Sequence, residues 1–268
     1  MNPIPAHSLA PTPYLSRVTR VLKVALHLLR AMLTAALFYQ RMGTHRQLAF
    51  KQRWSQQLLK ILEIRLEAGV TDAPHGCLIV ANHISWLDIF VINALRPASF
   101  VAKAEVRAWP LIGWLAARND TIFVNRGSRQ HARQVNVEID TRLNSGFDVA
   151  VFPEGRTTDG ARLLEFHAAL LQSAIETGRP ILPMAIAYRD ANGQPSLAPS
   201  FAETTLPQCF AAILACRSLS ARLMPLPPVV TTGQSRRDVA RAAHDAIATR
   251  LGFLRPNRTP ETPPDLPA

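Results

Sequence analysis

Aspartate and glutamate are missing from the first sixty residues, which carry nine Lys or Arg, and acids number only 19 against 30 basic residues in the whole 268-residue chain. A basic stretch without acids excludes a surface of balanced ion pairs and points to an anionic partner: nucleic acid, lipid headgroups or an acidic carrier. Charge of either sign is scarce, at 18% of residues against 48% hydrophobic, which is more apolar than a soluble domain needs to fill its core. Aromatics make up only 7% and are not interleaved with the basic residues, and no nucleic-acid module is present, so the partner expected is a membrane surface and no nucleic acid. The three cysteines, Cys77, Cys209 and Cys216, are odd in number and lack zinc or redox spacing; they read as reduced structural thiols, which favours a cytoplasmic location. No His, Cys or carboxylate cluster has ligand spacing, so neither a metal nor a cofactor is expected. A run of about 20 apolar residues, the length that crosses a bilayer, is also missing.

What is present organises the chain into four parts. Residues 1–13 hold four prolines without periodicity and read as a loose leader. The first apolar segment begins later and contains Lys23, His27 and Arg30, so a signal peptide is not expected. Residues 14–68 predict an N-terminal amphipathic helical hairpin. From Leu15 to Gly43, Arg17, Arg20, Lys23, His27 and Arg30 recur at steps of three or four and share one face; a second helix, roughly Arg46 to Ala68, sets Leu48, Trp54, Leu58, Leu62 and Leu66 against Arg53, Lys60 and Arg65. Such a hairpin suits the plane of an interface better than a crossing; the alternative is a pair of ordinary amphipathic helices packed on the domain. Several Lys or Arg near an anionic leaflet, each contributing roughly 1 kcal/mol, would hold the chain there.

Residues 69–254 alternate short apolar runs with helices. The strands are Cys77 to Ala81, Phe100 to Ala104, Thr121 to Val124, Asp148 to Phe152 and Ile181 to Tyr188. The helices are Ser85 to Leu95, Pro110 to Ala117, Arg129 to Leu143, Glu165 to Thr177 and a last one with Ser235 and Asp238 as capping box and Gly252 as stop. The pattern predicts an α/β fold, a mixed, mainly parallel sheet covered by helices, with functional residues on loops leaving the strands. Residues 255–268 carry five prolines and read as a disordered tail.

Chemistry concentrates on those loops. In Asn82-His83-Ile84-Ser85-Trp86-Leu87-Asp88, between a strand and a helix, the carboxylate five residues after the histidine can fold back to one ring nitrogen, fix the tautomer and leave the other nitrogen to take a proton. Thr121-Ile122-Phe123-Val124-Asn125-Arg126 ends a strand on an arginine, whose planar donors suit phosphate. Val151-Phe152-Pro153-Glu154-Gly155-Arg156-Thr157-Thr158 follows another, and Pro180-Ile181-Leu182-Pro183-Met184-Ala185-Ile186 forms a proline-bearing strand.

These four blocks, in this order, resemble the glycerolipid acyltransferases, the 1-acylglycerol-3-phosphate acyltransferase family of bacterial type. The first block matches N-H-x-S-x-x-D at every fixed position and the third resembles F-P-E-G-T-R-S, with the departure that Arg156 precedes Thr157, which moves its guanidinium by one residue. The resemblance implies His83 as general base and Asp88 as its orienting partner, without a covalent acyl-enzyme. It also implies contacts to the acceptor from Arg126, Lys103, Glu154, Gly155, Arg156, Asn82 and Ser85. The donor would be acyl-CoA or acyl-carrier protein. The acceptor would be a lysophospholipid, 1-acylglycerol-3-phosphate first and lyso-ornithine lipid as the alternative suggested by Thr157-Thr158-Asp159-Gly160 and Phe166-His167-Ala168. The expected location is the cytoplasmic face of the inner membrane, as a peripheral or monotopic protein. His167 reads as a structural residue in helical sequence. Two rival readings carry little: a serine hydrolase built on Ser85, His83 and Asp88 has no G-x-S-x-G elbow, and a noncatalytic membrane-binding module leaves the His-Asp pair without a purpose.

Overall fold

A computed structural model of the chain describes residues 12–125 and 129–253. Arg126, the leader apart from Thr12 and Pro13, and the tail from residue 254 onward lie outside the described residues.

Short, mostly apolar runs between helices form a seven-stranded sheet in the order β1-β7-β6-β2-β5-β3-β4. Its strands are β1 (Ile64–Ala68), β2 (Leu78–Ala81), β3 (Ser99–Lys103), β4 (Ile122–Val124), β5 (Val149–Val151), β6 (Ile181–Arg189) and β7 (Leu219–Pro225). Strands β2 to β6 run parallel, β7 is antiparallel to β6, and β1 is parallel to β7. Both faces are covered, which is why β2 reads as an unbroken apolar run rather than an alternation. Leu78 and Val80 enter the core beneath helices α5 (Arg129–Asn144), α6 (Gln172–Glu176) and α8 (Arg236–Leu251). Ile79 and Ala81 enter the opposite core beneath α1 (Tyr14–Leu37), α2 (Thr44–Ile61), α3 (Asp88–Leu95) and α7 (Leu206–Ala215). A helix α4 (Ile112–Arg118) lies between β3 and β4. Burying a Leu, Ile or Val side chain contributes about 1.5–3 kcal/mol, so the central strand alone anchors both layers.

The expected α/β architecture, mixed and mainly parallel with an N-terminal helical hairpin, is the one observed. Two local expectations change. The second hairpin helix stops at Ile61: Glu63 takes φ 57°, a left-handed geometry that ends the helix, and Ile64–Ala68 join the sheet beside β7 in place of extending the hairpin to residue 68. The helix expected over Glu165 to Thr177 shrinks to a 3-10 turn, Ala168–Leu171, and α6, because the chain before it is held extended, with His167 N–H donating to the Pro153 carbonyl at 2.9 Å. His167 is therefore not helical. At the C-terminal helix half of the expected capping box is present: Ser235 Oγ accepts from Asp238 N–H, but the Asp238 carboxylate accepts from the Ser235 hydroxyl and not from its N–H; Gly252 closes α8 at φ 83° as expected.

The hairpin is antiparallel, with His27 stacked on Trp54 at 4.8 Å and Tyr39 edge-on to Phe50 at 6.1 Å. The basic face of α1 does not simply point outward. Arg20 is buried and ion-paired with Glu63, and His27 is buried with Nε2 3.0 Å from the Trp54 carbonyl. Exposed instead are Leu15, Leu22, Leu26, Leu29, Leu33 and Leu37, and Lys23 and Arg30 are exposed as well. The hairpin is tied to the far edge of the sheet by Asp120, which accepts from Lys51 Nζ at 2.9 Å and from the Tyr39 hydroxyl at 3.1 Å.

Candidate active site

Every strand from β2 to β6 delivers its C-terminal end to one rim of the sheet, and the His-Asp block lies there, directly after β2. The turn from Asn82 to Leu87 is short and the helix that follows starts at Asp88, so the carboxylate folds back onto the turn that precedes it. Asp88 Oδ2 accepts from Ile84 N–H at 2.8 Å and Ser85 N–H at 2.9 Å and lies 2.8 Å from His83 Nδ1. With Nδ1 committed to the carboxylate, the tautomer that leaves Nε2 as proton acceptor is favoured. Nε2 has no partner among the described residues, and the side chain is 20% exposed while Asp88 is fully buried.

The main chain of His83 is clamped from the third block, 71 and 75 residues on. Its N–H donates to Glu154 Oε1 at 2.7 Å, and its carbonyl accepts from Thr158 N–H at 2.8 Å. The ring stacks on Phe152 at 3.9 Å between centroids with planes 9° apart. Glu154 turns its second oxygen to Leu164 N–H at 2.9 Å, so both of its acceptors serve the backbone of two loops. Burial pushes the Glu154 carboxyl above the usual carboxylate range, against the pull of those two donors and of His83. Gly155 takes φ 71°, a conformation a side chain would strain, which lets the chain turn sharply beside the histidine.

Other residues expected in the site are placed differently from one another. Asn82 is buried and uses its amide as a piece of strand: Nδ2 donates to the Ile186 carbonyl at 3.0 Å and Oδ1 accepts from Ile186 N–H at 2.7 Å, extending the β2–β6 pairing beyond Ala81↔Met184. Ser85 is fully buried, its Oγ accepting from Leu87 N–H at 3.2 Å. These two and Glu154 shape the turn rather than face open space. Lys103 ends β3, exposed and on the same rim, and Arg156 is exposed on the loop after β5. The structure thus brings together His83, Asp88 and Glu154, with Asn82 and Ser85 behind them, and leaves Lys103 and Arg156 exposed on the same rim without a bond to the pair. Phe152 and Thr158, quoted in the third block without a role, supply the ring's bed and its carbonyl clamp. Tyr188 was not singled out in sequence at all; it donates its hydroxyl to Asp88 Oδ1 at 2.7 Å.

Two cavities of about 380 and 290 Å³ lie at the two edges of the sheet, beside β1 and β4, and neither is lined by His83 or Asp88. Among the described residues no group of three or more His, Cys, Asp or Glu is arranged to hold a metal ion. No described helix is long and apolar enough to cross a membrane.

The family model described as Acyltransferase matches residues 64–187, from β1 almost to the end of β6. A lyso-ornithine lipid O-acyltransferase of Pseudomonas aeruginosa is 37% identical over 207 residues, 77% of this chain and 80% of that protein. This chain belongs to the acyltransferase family. A 1-acyl-sn-glycerol-3-phosphate acyltransferase of Neisseria meningitidis is 41% identical over 168 residues, 62% of this chain and 66% of its relative, just under two thirds. The crystal structure of the 1-acyl-sn-glycerophosphate acyltransferase PlsC from Thermotoga maritima superposes with a TM-score of 0.66, covering 91% of this chain and 97% of that one. At 18% identity that likeness speaks for the fold.

Proposed function

We propose that the protein moves a fatty acyl group from a thioester, acyl-CoA or acyl-carrier protein, to the free hydroxyl of a lysophospholipid, with 1-acylglycerol-3-phosphate as acceptor and phosphatidic acid as product. The observation that carries this reading is the 2.8 Å contact of His83 Nδ1 with buried Asp88, which leaves Nε2 as the proton acceptor on a partly exposed ring. Nε2 removes the hydroxyl proton as the oxygen attacks the thioester carbonyl; the C–O bond forms, the C–S bond breaks, and the thiolate recovers the proton from the imidazolium. General-base help of this kind is commonly worth roughly 10²–10⁴ in rate. Asp88 holds the ring's orientation and stabilises the imidazolium while it exists.

Lys103 and Arg156, exposed at the rim where His83 lies, and Arg126 just beyond β4 supply cations for a phosphate headgroup, and the glycine at 155 lets the main chain approach it. The outward leucines of α1, flanked by Lys23 and Arg30, suit the acyl–headgroup boundary of an anionic leaflet, so the protein would work from the membrane surface, on its cytoplasmic side. A second acceptor, lyso-ornithine lipid, is favoured by one observation: the Pseudomonas relative that bears that name aligns over 80% of its length, more than the Neisseria relative does.

One assay separates these readings. Purified enzyme, His83→Ala as the blank, is given a panel of labelled lysophosphatidate, lysophosphatidylethanolamine and lyso-ornithine lipid with acyl-CoA or acyl-carrier protein. Lysophosphatidate is expected to be acylated fastest and the blank to be inert. Activity in the blank would remove His83 from the mechanism, and a preference for lyso-ornithine lipid would move the acceptor to the second reading.

A further inference from the structure

The carboxylate beside His83 has two oxygens, and they are held from different parts of the molecule. Oδ2 faces the turn and takes Ile84 N–H, Ser85 N–H and the imidazole. Oδ1 faces the sheet, where its one donor among the described residues is the Tyr188 hydroxyl at 2.7 Å, brought from 100 residues along the chain. Strand β6 runs nine residues and outlasts β2, and the Asn82 amide continues the pairing at Ile186, so the register that places Tyr188 beneath the catalytic turn is fixed two residues before it. Tyr188 is itself buried, and no water is needed to reach its partner. A phenylalanine would fill the same space; the hydroxyl is the part that the packing does not require.

We propose that Tyr188 is a positioning residue for acyl transfer: its hydroxyl pins Oδ1 of Asp88, which fixes the plane of the carboxylate and keeps Oδ2 on His83 Nδ1, and it withdraws enough charge from the carboxylate to set how basic the imidazole is. The inference rests on His83 acting as the base. A donor that competes for the carboxylate's charge weakens its hold on the imidazolium, so removing the donor strengthens that hold. Burial and the Asp88 charge push the Tyr188 phenol well above its ordinary range, so it remains a hydroxyl donor throughout the working pH range. The other titratable groups facing the pair are Glu154 after β5, which binds the His83 main chain, and Cys209 on α7, whose thiol burial keeps neutral. Neither bonds to the Tyr188 hydroxyl.

The test uses full-length enzyme in three forms: wild type, Tyr188→Phe, and protein with 3-fluorotyrosine incorporated at position 188. Fluorination keeps the hydroxyl and makes it a stronger donor. The acid limb of the kcat/KM profile is expected to move up by roughly half a pH unit or more in Tyr188→Phe and down in the fluorinated protein, with kcat lowered several-fold in Tyr188→Phe and the acceptor KM little changed. A purely structural tyrosine would move neither limb, because both replacements preserve its packing. The His83 ring is also titrated by NMR in each protein, a readout that does not need turnover. If Tyr188→Phe does not fold, the fluorinated protein decides the question alone. Titrations and pH profiles that overlay the wild type would overturn the inference, even with His83→Ala inert. Activity in His83→Ala would instead remove the acyl-transfer reading, and the NMR titrations would still decide whether Tyr188 acts on His83.

Discussion

A histidine serves as a base only while its ring is held in one tautomer and one orientation, and here each atom of that requirement has a named partner. Asp88 takes Nδ1, Phe152 lies flat against the ring, and the main chain on either side of the ring is bonded to Glu154 and to Thr158. Glu154 is the part of this arrangement most sensitive to a small change, because both of its oxygens accept backbone N–H groups in a buried position. Glu154→Gln replaces one acceptor by an NH₂ group that faces another donor. Leaving a buried donor unpaired costs about 1–3 kcal/mol, so kcat is expected to fall by roughly ten- to a hundredfold as the loop carrying His83 shifts. Steady-state kinetics beside a thermal melt check this; unchanged kcat in a folded Glu154→Gln protein would free Glu154 from any part in placing the histidine.

At the scale of the elements, α1 presents its leucines to solvent and turns Arg20 and His27 toward the protein. Replacing Leu26, Leu29 and Leu33 by glutamine removes apolar surface without removing a core contact, since all three are exposed. Binding to anionic vesicles should weaken by about tenfold or more while the unfolding midpoint stays where it was, and vesicle flotation with a denaturant melt reads both. Equal flotation of the variant and the parent would count against a seat on this face. The helix itself was legible in sequence because basic and apolar residues recur at helical spacing. Which face meets the domain was not, since Arg20 is answered by Glu63, 43 residues away, and no local pattern reports such a pairing. The same limit explains β1 and the region from 165 to 177. In sequence Leu66 continues the four-residue spacing of Leu58 and Leu62, but the left-handed Glu63 between them redirects the chain, and Phe166 is drawn off a helical path to pack edge-on against His244 at 5.1 Å. Tyr188 escaped notice for a related reason: on an apolar strand an inward tyrosine reads as core, and its partner becomes visible only when β6 is laid beside the turn after β2.

Across the whole molecule the two ends of the sheet divide their duties. The rim that carries His83 holds the polar groups proposed for chemistry, whereas the opposite rim is closed by Asp148. That carboxylate accepts from Gly76 and Cys77 N–H at 3.0 and 2.9 Å and receives Arg96 through Nε at 2.8 Å and Nη2 at 3.0 Å. Arg96 and Asp148 are both buried, and breaking such a pair by removing one partner costs roughly 3–5 kcal/mol because the other charge is left uncompensated. Asp148→Asn is therefore expected to lower the unfolding free energy in urea by about 3 kcal/mol and to leave kcat of the folded fraction unchanged. A variant that kept its stability but lost its turnover would contradict that division. Family likeness was legible from the order of four short blocks because three of them lie at the ends of parallel strands and the fourth forms most of β6; the pairing of β7 and β1 beyond them leaves no comparable trace in composition or motif.

The membrane seat proposed for the outward leucines of α1 would also change the units in which the proposed lyso-lipid acceptor is counted. A lyso-lipid anchored in the same leaflet as the enzyme meets it by lateral diffusion in two dimensions, so its mole fraction in the surface, and not its amount per litre, sets the encounter rate. Diluting the leaflet with an inert zwitterionic lipid at constant total acceptor should then slow turnover in proportion, while diluting the whole suspension with buffer should not. A rate that follows bulk concentration instead would mean that the acceptor leaves the bilayer before it is acylated.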